Sequence, residues 1–256
     1  MTEAHAREQA PAHDGAIVRP VRRPGDPDVP SLAVMVSPRA DLDLLVRELE
    51  LGDGFYRVFM SRLYVEEGPD VRFCLAGPLL GAPYAVMVLE QLVALGARRI
   101  LFLGWCGSLA DSVTTGRLLL PTCAFIDEGT SAHYQTGRDL SPSVSEPSPR
   151  CLETLRDGLV KGRHPFSEGP VWTTDAVFRE TRQKVERFRA LGALAVEMEL
   201  SALQTAARFR EVECGGLLVV SDELFTGTWR PGFHTPVFQE GRRAAVKVMR
   251  ELCRTV

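Results

Sequence analysis

From Ser31 onward, short and almost unbroken apolar runs alternate with longer stretches whose apolar residues recur at helical spacing. "LAVMV" (Leu32–Val36), "VRFCLAG" (Val71–Gly77), "RILFLGWCG", "RLLLPTCAFID" and "GGLLVVSDE" read as buried strands. Between and after them, "DLDLLVRELE" places Leu42, Leu45 and Leu49 on one stripe, and "YAVMVLEQLVALG" predicts an apolar helix capped by Gly96. Further helical patterns lie in "RETRQKVERFRALG", in "ELSALQTAARFRE" and from about Val237 to Leu252. Such alternation has one economical solution, a sheet covered by helices on both faces.

At 256 residues the chain suffices for one large domain or two small ones. Residues 1–28 are polar and rich in proline, and they predict a mobile N-terminal tail ahead of one domain over 29–256. Within that tail "RPVRRP" (Arg19–Pro24) reads as solvated charge. The Ser/Pro-rich stretch from about Gly129 to Pro149 predicts a surface loop placed to border a site.

Composition excludes several classes of function. A formal net charge of -3 provides no electrostatic footprint for nucleic acid. No apolar run approaches the roughly 18 residues that a membrane span requires. "MTEAHAREQAPAHDG" lacks the apolar core of a secretory signal. The six cysteines are too scattered for a disulfide framework or a metal site, and they predict reduced thiols in a cytoplasmic protein.

Ligands of open α/β sheets bind beyond the carboxyl ends of strands. Three unusual segments fall at such ends: "SPR", "GWCGSL" and "SDELFTG". Gly104 and Gly107 would let backbone N–H groups approach an anion or a sugar. A fourth segment, "ALAVEMELSAL", sets Glu197 and Glu199 into apolar surroundings on either side of Met198. Either the two acids lie on an exposed helix face, or they are buried and compensated by partners.

Taken together, "AVEMELSAL", "VVSDE", "GWCGSL" and "AGPLLGAPYAVMVLEQLVALGARRILFLG" resemble the nucleoside phosphorylase superfamily, in its hexameric purine nucleoside and uridine phosphorylase type. The resemblance runs from about Leu32 to Arg250. It implies a three-layer α/β/α fold with a central mixed β-sheet, and cleavage of the N-glycosidic bond of a nucleoside. By resemblance Glu199 grips the ribose hydroxyls, Met198 packs on the sugar, and Glu197 lies beside them. Asp222, next to Ser221, takes the position that protonates a departing purine. Phe178, with Val177 close behind, is the candidate for stacking on the base, although core packing would also suit a phenylalanine there. The glutamine and arginine that read a pyrimidine have no clear counterparts, Arg179 being shifted in register.

The anion end departs from the family pattern. Phe102 stands where the family has an arginine, and Trp105 stands where it has serine or threonine. Ser37 and Pro38 replace a Gly-Asp-Pro turn, and Arg39 is displaced from the expected arginine. Arg57 matches the arginine contributed by a neighbouring subunit. The expected anion set is therefore Arg57, Ser37, Arg39 and the Trp105–Cys106–Gly107 turn. Phosphorolysis, hydrolysis by water, and nucleoside binding without catalysis all remain open on these residues. No cofactor is implied beyond phosphate as co-substrate. The resemblance implies a homodimer, or a hexamer built as a trimer of dimers.

Overall fold

A computed structural model describes residues 15–69, 71–135 and 144–255. The first half comprises β1 (Leu32–Val36), α1 (Arg39–Glu48), β2 (Tyr56–Val58), β3 (Ser61–Glu67), β4 (Arg72–Gly77), α2 (Ala82–Leu95), β5 (Arg99–Ser108) and β6 (Leu118–Asp127). The second half adds β7 (Val144–Ser145), α3 (Pro149–Lys161), β8 (Phe166–Thr174), α4 (Arg182–Ala190), β9 (Ala195–Glu197), α5 (Leu200–Phe209), β10 (Glu213–Glu223), β11 (Arg230–Pro231) and α6 (Pro236–Thr255).

The strands form one mixed sheet. β4, β1, β5 and β10 run parallel, and β3 and β2 extend that arm in antiparallel fashion. β10 also pairs with β6, β6 with β8, β8 with β9, and β9 returns to β5, so these five strands close a ring. Helices α2 and α5 cover one face, packing on Ala33, Met35, Ile100 and Phe102. Helices α1, α3 and α6 cover the other, on Val34, Leu101, Leu103 and Leu217. The helix–sheet–helix layering expected from the sequence is thus present. Alternation along β5 assigns its side chains: Phe102 and Cys106 face α2 and α5, whereas Leu101, Leu103 and Trp105 face the opposite layer.

Local readings differ in four places. Gly104 and Gly107 are not a turn, because β5 continues through them to Ser108. β10 likewise runs past Ser221 and Asp222 to Glu223, with a bulge between Val220 and Asp222 that re-aims the side chains there. The two acids of "AVEMELSAL" are not on a helix face, since β9 ends at Glu197 and α5 starts only at Leu200. Helix α3, strand β8 and the β2–β3 hairpin have no counterpart in the sequence reading. α3 buries Cys151, Leu155 and Leu159 at four-residue spacing.

Residues 15–28 carry no helix or strand, and residues 1–14 of the expected tail lie outside the described residues, as do 136–143 of the expected loop. Among the described residues no helix is long and apolar enough to cross a membrane.

Candidate active site

The carboxyl ends of β1, β4, β5 and β10 bring Ser37, Gly81, Cys106, Gly107 and Asp222 toward one end of the sheet. β9 crosses the end of β5 antiparallel, pairing Val196 with Gly107 and so delivering Glu197 and Glu199 to the same place.

Glu199 is 4% exposed at the N-terminus of α5. Its Oε1 accepts hydrogen bonds from the Gly81 N–H at 2.7 Å and the Ser37 hydroxyl at 3.4 Å. Gly81 has φ of 77°, a conformation that suits glycine and aims its amide at the carboxylate. Burial raises the proton affinity of Glu199, and these hydrogen bonds oppose that rise. The alternative of acids on an exposed face is overturned.

Glu197 is equally buried but differently occupied. One oxygen accepts the Thr173 hydroxyl, and the other accepts the N–H groups of Glu199 at 2.8 Å and Leu200 at 2.7 Å. It is the cap of α5 supplied from the preceding strand. Three of its roughly four acceptor positions are thus taken by donors of its own chain. Burial and the neighbouring Glu199 charge both raise its proton affinity. Met198 lies half-buried between the two acids.

Asp222 is half-buried, with Oδ1 accepting the Ser221 hydroxyl at 2.6 Å and Oδ2 accepting the Trp229 indole N–H at 2.9 Å. Ser221 thereby orients the acid, and its hydroxyl also lies 3.2 Å from the Cys106 carbonyl. A Cβ on Gly107 would lie 3.0 Å from Asp222 Oδ2 and 2.5 Å from Leu224, which leaves room only for glycine. The Cys106 thiol is buried, and burial together with the charges of Asp222 and Glu197 raises its pKa well above the usual thiol value. One thiol thus feels both acids, which ties Glu197 and Asp222 into a single neighbourhood.

The anion end differs most from expectation. Trp105 does not fill the space beside Glu199. Strand alternation turns it to the other face, where its indole N–H donates to Asp41 at 2.5 Å and its ring meets Phe238 edge-on. Asp41 is fully buried and also accepts Arg242 at 2.6 Å, and the Arg242 guanidinium lies 5.4 Å from the Trp105 ring. Arg39 lies outside this group, its Nε held by both oxygens of Asp43 at 2.8 and 2.9 Å. Cys106 and Gly107 offer no loop of free amides, since Gly107 is flanked by Val196 of β9 and Asp222 of β10. Phe102 is fully buried in the core. Arg57 is exposed on β2, at the far edge of the sheet, so one chain does not bring it to Glu199. Of the expected anion ligands, Ser37 alone touches the acidic pair.

Val177 and Phe178 sit on a 3-10 turn (Val177–Arg179) after β8. Phe178 is 97% exposed, so it is not a core residue, and its ring is free to meet a ligand. Sequence reasoning missed Gly81, Thr173, Trp229 and Glu180. Burial and the charge of Asp222 raise the Glu180 carboxyl to about 7.

This architecture defines a class: an α/β protein whose strand ends hold a buried carboxylate tied to backbone amide and hydroxyl, with a second acid across the sheet. A family model described as "Phosphorylase superfamily" matches residues 34–256. The chain belongs to that superfamily. A guanosine phosphorylase of Halorubrum lacusprofundi is 26% identical over 220 residues, covering 86% of this chain and 83% of that one. The structure resembles a purine nucleoside phosphorylase from Toxoplasma gondii in complex with immucillin-H, with TM-score 0.75, 18% identity, and coverage of 89% of this chain and 91% of the other. It also resembles an AMP nucleosidase from Bacteroides thetaiotaomicron, with TM-score 0.68, 22% identity, and coverage of 87% and 89%. At these identities the two solved structures speak for the fold.

Proposed function

We propose that this protein cleaves the N-glycosidic bond of a purine-type nucleoside by phosphorolysis, releasing the free base and a pentose 1-phosphate. The observation that carries the reading is Glu199, a buried carboxylate held by Gly81 and Ser37 at strand ends that also present Asp222. A sugar diol donating to that carboxylate forms charge-assisted hydrogen bonds that offset its desolvation. The same negative charge favours the positive charge that develops on the ribose as the bond breaks. Met198 then packs on the sugar, Phe178 and Val177 border the base, and Asp222 delivers the proton that makes a purine an adequate leaving group.

Phosphate needs a cation, and Arg57 supplies it from a second copy of the chain. Phe59, Met60 and Leu80 surround that region with exposed apolar surface, Met60 and Leu80 at 78% and 75%. Leu80 adjoins Gly81, the residue bonded to Glu199. A homodimer across this surface, alone or within a hexamer, places Arg57 at the neighbour's site. Residues 29–256 act as one catalytic domain in the cytoplasm, behind a mobile tail, without a cofactor.

Hydrolysis by water is favoured by one specific observation. Both positions where phosphate ligands are expected, Phe102 and Trp105, are engaged elsewhere. Incubation with inosine, guanosine, adenosine and uridine, with and without phosphate, separates the two. Phosphorolysis predicts base release that requires phosphate and yields pentose 1-phosphate. Equal release without phosphate, with free ribose as product, overturns it in favour of water. Tight binding without turnover overturns both.

A further inference from the structure

Of the three tryptophans, two use the indole N–H inside the protein. Trp172 is fully buried, stacked on Phe188 with ring centroids 4.5 Å apart, and donates to Asp127 at 3.0 Å. Trp105 donates to Asp41 beneath the opposite layer of helices. Trp229 is arranged differently. Its N–H donates to Asp222 Oδ2 at 2.9 Å, yet the side chain is 60% exposed. Among the described residues its ring contact is Phe233, 6.4 Å away and tilted by 58°, so no ring of the chain stacks on it.

The placement of this indole is fixed from several sides. β10 and β11 pair Asp222 with Pro231 and Glu223 with Arg230, which sets Trp229 at the foot of the connecting loop beside the acid. The Leu224 N–H bonds the Ser108 carbonyl at 2.8 Å, and the Gly232 N–H bonds the Ser221 carbonyl at 2.9 Å, so both ends of the connection are pinned. The loop is also tied to the segment that follows Phe178, because Arg182 donates to the Gly227 carbonyl at 3.3 Å and Arg189 to the Phe225 carbonyl at 3.1 Å. An indole held at its edge by an acid, and bare over much of its surface, offers a flat apolar area beside that acid. Such a ring gains when another flat ring covers it. A base nitrogen within hydrogen-bond reach of Asp222 lies next to the indole, whose own nitrogen is 2.9 Å from the same carboxyl.

We propose that Trp229 is a base-binding residue that also positions Asp222: its N–H fixes one carboxyl oxygen, and its ring covers the base that Asp222 meets. This rests on the nucleoside-cleaving reading above. Phe178 and Val177 border the base from the turn after β8, and Trp229 borders it from the loop after β10.

Hypoxanthine and adenine are the probes, followed by tryptophan emission and by calorimetry. The base that binds should quench wild-type emission, since Trp229 is the exposed indole and the other two are engaged in the interior. Trp229→Phe keeps a ring and loses the N–H. It should bind that base within threefold of the wild-type affinity without quenching, while kcat for the matching nucleoside falls about three- to tenfold, the size of one hydrogen bond. In Trp229→Ala the affinity for the base should fall about ten- to a hundredfold, as loss of ring–base stacking requires. Thermal unfolding of both variants should match wild type, because the side chain lies at the surface. Should Trp229→Ala unfold early, binding and quenching in Trp229→Phe still decide. A base affinity within twofold of wild type in Trp229→Ala would overturn the contact with the base. Binding without quenching in wild type would overturn it too, as would quenching that survives in Trp229→Phe. An unchanged kcat in Trp229→Phe would overturn the hold on Asp222. Wild-type protein that is quenched by a base but releases none from inosine or adenosine would support the contact and overturn the proposed cleavage, and protein that does neither would overturn both.

Discussion

The two faces of β5 have handled buried charge in opposite ways. On the α2–α5 side, Glu199 is held by one amide and one hydroxyl and sits among strand ends that also carry Asp222. On the α1–α6 side, Asp41 is enclosed by Trp105 and Arg242, a carboxylate paired within its own chain. The first arrangement leaves an acid with capacity for a ligand. The second satisfies an acid with internal donors. Burial alone therefore does not mark a functional carboxylate; the number and source of its donors does.

The largest expected effect tests the ligand-facing side. Asp222→Asn should lower purine nucleoside cleavage by roughly 10²–10⁴-fold in an assay of base release, because Asn cannot transfer the proton. A wild-type rate in that variant would remove Asp222 from the chemistry. Next comes the internal pair. Arg242→Ala leaves a buried carboxylate with only the indole donor, and denaturant unfolding should show a loss of about 3–5 kcal/mol. Burial already raises the Asp41 pKa against the pull of Arg242, and removing Arg242 raises it further. Stability of this variant should therefore recover as the pH falls and Asp41 takes up a proton. A loss independent of pH would show that packing, not charge, is what Arg242 provides.

Glu199→Gln sharpens the contrast at intermediate size. The neutral amide keeps an acceptor for Gly81 but forfeits charge-assisted bonds to a diol, so nucleoside KM should rise by an amount corresponding to about 1.5–3 kcal/mol. The same variant has a stability signature. The folded pKa of Glu199 lies above its unfolded value, so the unfolded chain ionises first as pH rises. Wild type should lose stability relative to the variant from the ordinary carboxylate range toward neutrality, as read by thermal unfolding. The smallest effect belongs to Arg39→Ala, which removes an exposed pair with Asp43 and should change stability by about 0–1 kcal/mol. A larger change would mean that Arg39 matters beyond this pair.

Much of the fold was legible because buried strands and apolar helices announce themselves by continuity and spacing. Asp222 was legible as an acid at a strand end, and Glu199 as an acid set into an apolar run, its hold on a sugar coming from the family resemblance. Trp105 was misplaced for a reason the sequence itself contains: Phe102 and Trp105 are three positions apart, so within one strand they must face opposite ways. Treating Gly104 and Gly107 as a turn hid that parity. The work of Glu197 was not legible, since its partner Thr173 lies on a strand whose Gly-Pro interrupts the apolar pattern. Trp229 and Glu180 lack any local signature: the Trp229 indole reaches Asp222 from the connection between β10 and β11, and the segment after Glu180 is fastened to that same connection by Arg182 and Arg189.

The closed circuit of β5, β10, β6, β8 and β9 carries Cys106, Asp222, Thr173 and Glu197, whereas Ser37 and Gly81 belong to the open arm through β1 and β4. Glu199 is moored to both, through its own N–H to Glu197 and through its carboxylate to Gly81 and Ser37. It stands astride the seam between the closed ring and the open arm, which β1 joins to β5 over five paired residues, so both parts of the sheet together set the position of whatever that carboxylate holds.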